Sequence, residues 1–175
     1  MSAATAEKRA NQTLRKLGIG TLPIPISDIA EHLGLRLQSF ALGDEVSGVL
    51  VVDGDTGVIG YNSSHPQVRQ RFTIAHEIGH FLLHRSDSTL FIDERYFALF
   101  RDKKSSQGSD HREREANSFA AALLMPANLV RDEIEQHDFD FADEDALNSL
   151  ARKFQVSAQS MAYRLSNLGL FAVSS

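Results

Sequence analysis

The chain has 175 residues, of which 42% are hydrophobic and 23% are charged, with a formal net charge of −5 and no cysteine. This length and composition are typical of one globular domain with a buried core, so we expect residues 1–175 to form a single domain. The lack of cysteine excludes disulfides, thiolate metal sites and a cysteine nucleophile, and the acidic balance disfavours a protein whose main task is to bind nucleic-acid phosphates. No apolar run of about 18 residues could span a bilayer, and the N-terminus lacks the apolar core of a signal peptide. We therefore expect a cytoplasmic protein without a membrane partner.

The first part of the chain predicts two helices. Residues 4–17 have helical spacing of apolar and charged side chains, and a glycine-containing segment follows them. Ser27 is predicted to cap a short helix over residues 28–33, which Gly34 terminates.

A β-hairpin is predicted next. Residues 46–52 and 57–62 are rich in β-branched and apolar side chains and flank the turn sequence DGDT. We expect this hairpin to contribute to a small, twisted, mixed sheet.

The stretch FTIAHEIGHFLLH, residues 72–84, places polar side chains within an apolar run. At about 100° per residue, these polar side chains fall within one sector of about 100° on a helix, whereas apolar residues fill most of the remainder. They are Thr73, His76, Glu77, His80 and His84. Because unpaired buried polar groups cost several kcal/mol, this stripe must face a protein partner, a cavity or a metal.

Residues 76–80 have the H-E-x-x-H arrangement. Histidines at i and i+4 lie one turn apart, about 6 Å along the axis, so the imidazoles of His76 and His80 can converge on one Zn²⁺. Glu77 leans to one side of that line, where it can take a proton from a water at the metal. The alternative, two hydrogen-bonded core histidines, stays open at this point.

A third metal ligand is expected because a catalytic zinc usually has three protein ligands and one open position. The helix-forming segment DHREREANSFAAALLMP offers two glutamates. Glu115 points about 200° away from Glu113 on a helix, so only one of them can face the histidines. We predict Glu113, which small alanines flank, and Asn117 one turn further on as the side chain that orients a ligand histidine. A charged helix start favoured by the helix dipole would account for either glutamate alone.

His84 shares the polar stripe but lies too many turns from His76 to be the third ligand. We expect His84 to support the site from outside the ligand set or to cap the helix.

The motifs RQRFTIAHEIGHFLLH and EREANSFAAALLMP, in this order, resemble those of the ImmA/IrrE family of metallopeptidases. The resemblance is strongest over residues 22–130. It implies a compact zincin-like domain with His76, His80 and Glu113 as metal ligands and Glu77 as the general base. Zn²⁺ is the implied metal, with Mn²⁺ as the alternative.

The resemblance also implies an activity and a partner. Members of the family cut a helix-turn-helix transcriptional repressor and so release genes for a stress response or for the induction of phages and mobile elements. Radiation-response members have an additional C-terminal sensor domain, which we do not expect this chain to hold. The substrate's identity, its cleavage site, the activating signal and the oligomeric state stay open.

Two features of this expected enzyme are less defined by the sequence. An oxyanion-stabilising donor is expected, and the candidates stay open; they are Tyr61, His84, Tyr96, His111 and Arg112. The hairpin before the active-site helix could offer a strand edge to an extended substrate. Residues 102–110 are predicted to be a loop near the mouth of the site, either a substrate-selecting lid or a passive connector.

Residues 144–168 provide a rival interpretation, because they resemble a helix-turn-helix with Ser157 capping the second helix. That interpretation would make the chain a DNA-binding regulator. Only Arg152, Lys153 and Arg164 are basic in this segment, which is few for phosphate contacts. We expect instead a C-terminal helix pair packed on the core of an α+β domain.

A further rival keeps the metal but has no catalysis, as in a metal-dependent regulatory module. A structural zinc site would have four protein ligands and no need for a free base, so Glu77 favours the enzyme.

Overall fold

The computed structural model describes residues 3–41, 46–93, 107–137, 139 and 143–170. Within these residues the chain has the predicted α+β fold with a small mixed sheet; the structure shows seven helices and four strands. In chain order the elements are α1 (Ala3–Leu17), α2 (Ile26–His32), β1 (Leu35–Phe40), β2 (Gly48–Asp53), β3 (Thr56–Asn62), α3 (Gln67–His84), β4 (Leu90–Asp93), α4 (Gln107–Leu124), α5 (Ala127–Gln136), α6 (Glu144–Phe154) and α7 (Ala158–Asn167).

Both predicted N-terminal helices are present, but the cap of the second was wrong. Helix α2 begins at Ile26, so Ser27 lies inside its first turn, and Pro25 occupies the capping position without a side-chain hydrogen bond. Ile26 is 2% exposed, and the Pro25 carbonyl accepts a hydrogen bond from the Ile29 N–H. The helix starts earlier than the capping rule suggests because this start buries an isoleucine.

The sheet has the strand order β1-β3-β2-β4. Strands β2 and β3 form the predicted antiparallel hairpin, whose turn contains Gly54 at φ +59°. Strand β1 pairs in parallel with β3, and β4 pairs antiparallel with β2. The expectation that the hairpin offers a free edge was therefore wrong, because a neighbouring strand covers each of its sides. Among the strands that the structure describes, β1 and β4 form the edges.

Helix α3 lies at the centre of the molecule, in contact with the sheet and with α4. The helices approach closely at Gly79, where an added Cβ would lie 3.1 Å from the Ala116 Cα and from the Ala116 carbonyl oxygen. The core combines apolar side chains from all seven described helices and from β1, β2 and β3, including Phe81, Phe119 and Phe154. This packing sets the position of α4 along the axis of α3.

The C-terminal helices form the predicted pair. Gln155 adopts a left-handed conformation at φ 53° between them, and the Ser157 hydroxyl accepts a hydrogen bond from the Ser160 N–H as the cap of α7. The apolar side chains that pack this pair onto the core include the buried Leu150, Phe154, Val156, Met161 and Leu165.

The predicted loop over residues 102–110 was wrong for residues 107–110, which belong to the first turn of α4. The remainder of that prediction lies outside the described residues. No helix in the described part of the chain is both long enough and apolar enough to cross a bilayer.

Candidate metal centre

Helix α3 buries a polar stripe in an apolar environment. His76, Glu77 and His80 are 1%, 0% and 2% exposed, while apolar neighbours such as Ile78 and Phe81 fill the other faces of the helix. Since buried polar groups need partners, the stripe indicates a site.

Helix α4 brings Glu113 to these histidines. Glu113 Oε2 lies 3.2 Å from His76 Nε2, and Glu113 Oε1 lies 3.2 Å from His80 Nε2. The two histidine Nε2 atoms are 3.0 Å apart. The three side chains offer ligand atoms that all lie within 4.8 Å of one another, and they form the one such group of His, Asp and Glu side chains found in the described residues. Glu113 is 34% exposed, so the centre reaches solvent on the α4 side.

Asn117 determines which nitrogen of His76 faces this centre. Its amide oxygen lies 3.0 Å from His76 Nδ1. Because that oxygen can only accept, Nδ1 carries the proton and the lone pair of Nε2 points towards His80 and Glu113. His80 has no corresponding partner among the described residues, because its Nδ1 is buried without a hydrogen bond.

The protonation states suit a cation. Burial lowers the pKa of His80 to about 4, although Glu113 opposes this shift. Burial also raises the pKa of Glu113, but the adjacent imidazoles of His76 and His80 outweigh this effect and hold that pKa well below its usual range. At neutral pH the centre therefore combines a neutral His80 with an ionised Glu113.

This donor set fits a divalent metal. Ligand atoms about 2.0 to 2.2 Å from a tetrahedral Zn²⁺ lie about 3.3 to 3.6 Å from one another, close to the separations of 3.0 and 3.2 Å between these side chains. Two imidazole lone pairs and a carboxylate that converge in a buried place repel one another unless a proton or a cation lies between them. The residues present could therefore hold one ion.

Glu77 lies beside this set, on the side of the sheet. A Cβ at Gly48 of β2 would lie 3.1 Å from Glu77 Oε1 and 2.4 Å from Thr73 Cγ2. Glycine at position 48 therefore allows the strand to approach α3 where Glu77 needs room. The hairpin pattern did not indicate this role of Gly48, because a glycine can stand at the start of a strand for many reasons.

His84 and Glu115 form a separate polar pair. His84 Nε2 lies 3.5 Å from Glu115 Oε2, and that same oxygen lies 3.3 Å from His111 Nδ1. Burial lowers the pKa of His84, and the charges of Glu115 and Asp87 oppose this shift. Both glutamates of α4 thus contact histidines of α3, but Glu115 does so at the His84 end of the helix. Helix angles alone did not indicate this second contact, because two crossing helices present different faces at different heights.

Strand β4 adds a contact that the sequence did not predict. The Phe91 ring stacks on the His80 ring with centroids 4.8 Å apart and an angle of 24° between the planes. A short run of apolar and β-branched residues, TLFI, after the polar RSDS was the available signal, but four residues are too few to separate a strand from a loop.

The five candidates for an oxyanion donor lie in different parts of the molecule. His84 and His111 are both directed to Glu115, and Arg112 lies close enough to contribute to the lowering of the pKa of His84. Tyr61 packs partly buried against the core, and Tyr96 lies outside the described residues.

The basic groups of the C-terminal helix pair are mostly engaged within the protein. Arg164 is 5% exposed, donates to the Met125 carbonyl and pairs with Glu7, and Lys153 pairs with Glu133. Only Arg152 of the three basic groups in this segment is left without such a pairing in the described structure. This arrangement disfavours a DNA-binding surface on the pair.

Comparison with known proteins relates this geometry to a family. The model of the M78 peptidases, described as the IrrE N-terminal-like domain, matches residues 30–166. Two proteins named radiation response metalloprotease IrrE are similar, one from Deinococcus deserti at 39% identity over 65% of this chain and one from Deinococcus radiodurans at 35% over 65%. This chain spans 37% and 32% of their lengths.

A phage protein and a solved structure add to the comparison. The uncharacterized immunity region protein 2 of Bacillus phage phi105 is 29% identical over 70% of this chain and 72% of its own length. A structure titled Mycobacterium tuberculosis transcriptional regulator matches 93% of this chain and 46% of its own, with a TM-score of 0.63 and 22% identity. That last likeness shows the fold alone.

Proposed function

We propose that this chain, which belongs to the IrrE N-terminal-like family of M78 peptidases, is a zinc-dependent endopeptidase that cleaves a helix-turn-helix transcriptional repressor. The observation that carries the proposal is the convergence of His76, His80 and Glu113 beside the buried Glu77. The names of the metalloprotease relatives support the reaction class, and the phage immunity protein supports a regulatory substrate. Relief of repression would serve a stress response or phage and mobile-element induction, in the cytoplasm.

The proposed ligands are His76 and His80 through Nε2 and Glu113 through its carboxylate, with Zn²⁺ as the metal and Mn²⁺ as the alternative. When bound, such an ion supplies a Lewis acid that polarises the scissile carbonyl and lowers the pKa of a water. Asn117 orients His76 because its amide oxygen accepts a hydrogen bond from the Nδ1–H group.

Glu77 is the proposed general base. Its carboxylate takes a proton from the attacking water and returns that proton to the leaving amine as the C–N bond breaks. The buried position keeps the carboxylate near the histidines, and Gly48 leaves the space that this position requires. A site that only stored a structural metal would not need this group.

The outer edge of β4, which no other described strand covers, is the proposed place for the substrate backbone. Strand β4 carries Phe91 onto His80, so a polypeptide segment paired with β4 would pass beside the metal ligands. Strand addition binds an extended peptide through main-chain hydrogen bonds. The target segment must therefore be extended or locally unfolded before cleavage.

The test uses a helix-turn-helix repressor as substrate, sought first among the products of the genes that neighbour the gene for this chain. We expect the zinc-loaded wild-type protein to cut it, and the Glu77→Gln protein to bind zinc but cut at least about 100-fold more slowly, because a positioned general base contributes about 10²- to 10⁴-fold. Gel electrophoresis and mass spectrometry of the products measure both rates. A zinc-loaded Glu77→Gln protein that cuts at the wild-type rate would contradict the mechanism.

A further inference from the structure

Strand β4 exposes two apolar side chains on either side of a buried contact. Leu90 is 50% exposed and Ile92 is 51% exposed, whereas Phe91 between them stacks on His80. On the neighbouring strand β2, Val51 lies directly opposite Leu90 and Val49 lies directly opposite Ile92. Val51 is 47% exposed. We call these four side chains the β2–β4 apolar surface; it lies on the face of the sheet opposite to the metal centre.

The hydrogen bonds of β4 show which of its backbone groups are available to another strand. The Val52 N–H donates to the Thr89 carbonyl at 2.9 Å, so this pair of residues is a hydrogen-bonded one. Hydrogen-bonded and non-hydrogen-bonded pairs alternate along an antiparallel ladder. The N–H and C=O groups of Thr89, Phe91 and Asp93 therefore face β2, and those of Leu90 and Ile92 face away from it.

Ser88 gives independent support for this direction. The Leu90 N–H donates to the Ser88 hydroxyl at 3.1 Å, and that hydroxyl donates to the Leu90 carbonyl at 2.8 Å. The half-buried Ser88 side chain thus occupies the two backbone groups of Leu90 that an adjacent strand would use. Such a cover protects a free edge and can be displaced by rotation of one side chain.

Residues directly opposite each other in a strand pair have side chains on the same face, about 4.5–5.5 Å apart between Cβ atoms. A strand added to β4 would bond through the residues opposite Leu90 and Ile92, and their side chains would extend the β2–β4 apolar surface. The residue between those two would point with Phe91 towards His80.

We propose that the β4 edge selects an extended substrate segment that carries two apolar side chains two residues apart, opposite Leu90 and Ile92, and that this segment displaces the Ser88 hydroxyl. The inference rests on the proposed function for the identity of the substrate as a polypeptide. Burial of the exposed halves of Leu90 and Ile92 and the continuity of their surface with Val49 and Val51 favour apolar partners over charged ones.

The test selects peptides from a randomised display library on immobilised, zinc-loaded Glu77→Gln protein, which removes the proposed base. We expect the selected peptides to contain an apolar pair at i and i+2, enriched up to about fivefold at each position, as cross-strand pairs allow. The same selection on Glu77→Gln combined with Ile92→Lys should change one position from apolar to acidic. The combination with Leu90→Lys should change the other.

The matched control is Glu77→Gln combined with Phe40→Lys. Phe40 is 43% exposed on β1, at the far edge of the same sheet, and this variant should select the same apolar pair as Glu77→Gln alone. Identical peptides for Ile92→Lys, Leu90→Lys and their parent would overturn the proposal, as would a parent selection without the pair. Light scattering measures whether the Glu77→Gln protein is a dimer. A dimer that the added Ile92→Lys substitution converts to a monomer would also overturn the proposal, because the surface would then be a contact between two copies of the chain. The selection measures binding alone, so it can fail while the repressor is still cleaved, and it can succeed if no repressor is cleaved.

Discussion

The position of each donor atom at the metal centre depends on a small number of side-chain contacts. His76 is held from two sides, by the backbone of α3 and by Asn117, which lies on α4. The i and i+4 spacing of the histidines follows from helix geometry alone, so the sequence could predict that His76 and His80 share a face. The angle between Glu113 and Glu115 could likewise be predicted, and Glu113 is the glutamate that the structure brings to both histidines.

Asn117→Ala tests how much the oriented tautomer contributes. Loss of the amide oxygen frees His76 to rotate and to place its proton on Nε2, so we expect zinc affinity to fall about 10- to 100-fold, as is common for partners of ligand histidines. Competition for zinc against a chromophoric chelator measures the change.

Ser118→Ala is the control for that measurement. Its hydroxyl bonds to the Arg114 carbonyl within α4, so its removal alters the same helix without touching His76. Equal zinc affinity for Asn117→Ala and the wild type would show that Asn117 does not orient the ligand.

Between elements, the distance that matters most is the approach of α3 to α4 at Gly79. A methyl group there would meet the Ala116 backbone at 3.1 Å and the Phe119 ring at 3.2 Å. Because backbone atoms cannot rotate away, Gly79→Ala should separate the helices and move Glu113 from the histidines. Helix propensity alone would predict the opposite sign, a stabilisation of about 1 kcal/mol.

We therefore expect Gly79→Ala to lower both the melting temperature and the zinc affinity, measured by calorimetry on the apo and zinc-loaded protein. Gly20→Ala is the control, since an added Cβ there has nothing within 4 Å and should change neither quantity. A more stable Gly79→Ala protein with unchanged zinc affinity would mean that the close approach of the helices is not required.

At this scale the sequence indicated some elements better than others. The long helix α3 and the β2–β3 hairpin were predictable, because many residues repeat a helical or alternating period. Strand β4 was missed, since four residues carry little period and its position at the edge depends on pairing with the distant β2. This pairing with β4 also covers the outer edge of β2 in the hairpin, and the local sequence pattern of the hairpin does not show that a distant strand will pair with it. The start of α2 was misplaced because burial of Ile26 outweighed the capping preference of Ser27.

For the whole molecule, the fold serves to bring α3, α4 and β4 to one place. Helix α3 supplies two histidines and Glu77, α4 supplies Glu113 and Asn117, and β4 covers His80 with Phe91. The C-terminal helices are packed into the core and use Arg164 to join α7 to α1 and to the end of α4. The helix-turn-helix-like sequence pattern of these helices thus supplies apolar side chains and a buried arginine to the core.

A bound ion would join α3 to α4. The measurement that tests this account most directly is the zinc affinity of the wild type, Glu113→Gln and Glu115→Gln proteins, determined by competition with a chelator. We predict that the wild type binds one Zn²⁺ and that Glu113→Gln loses more than about 100-fold in affinity, beyond the range of supporting residues. Glu115→Gln, which alters the His84 contact, should keep its affinity within about tenfold of the wild type. Zinc bound as tightly by Glu113→Gln as by the wild type, or lost only in Glu115→Gln, would contradict the account.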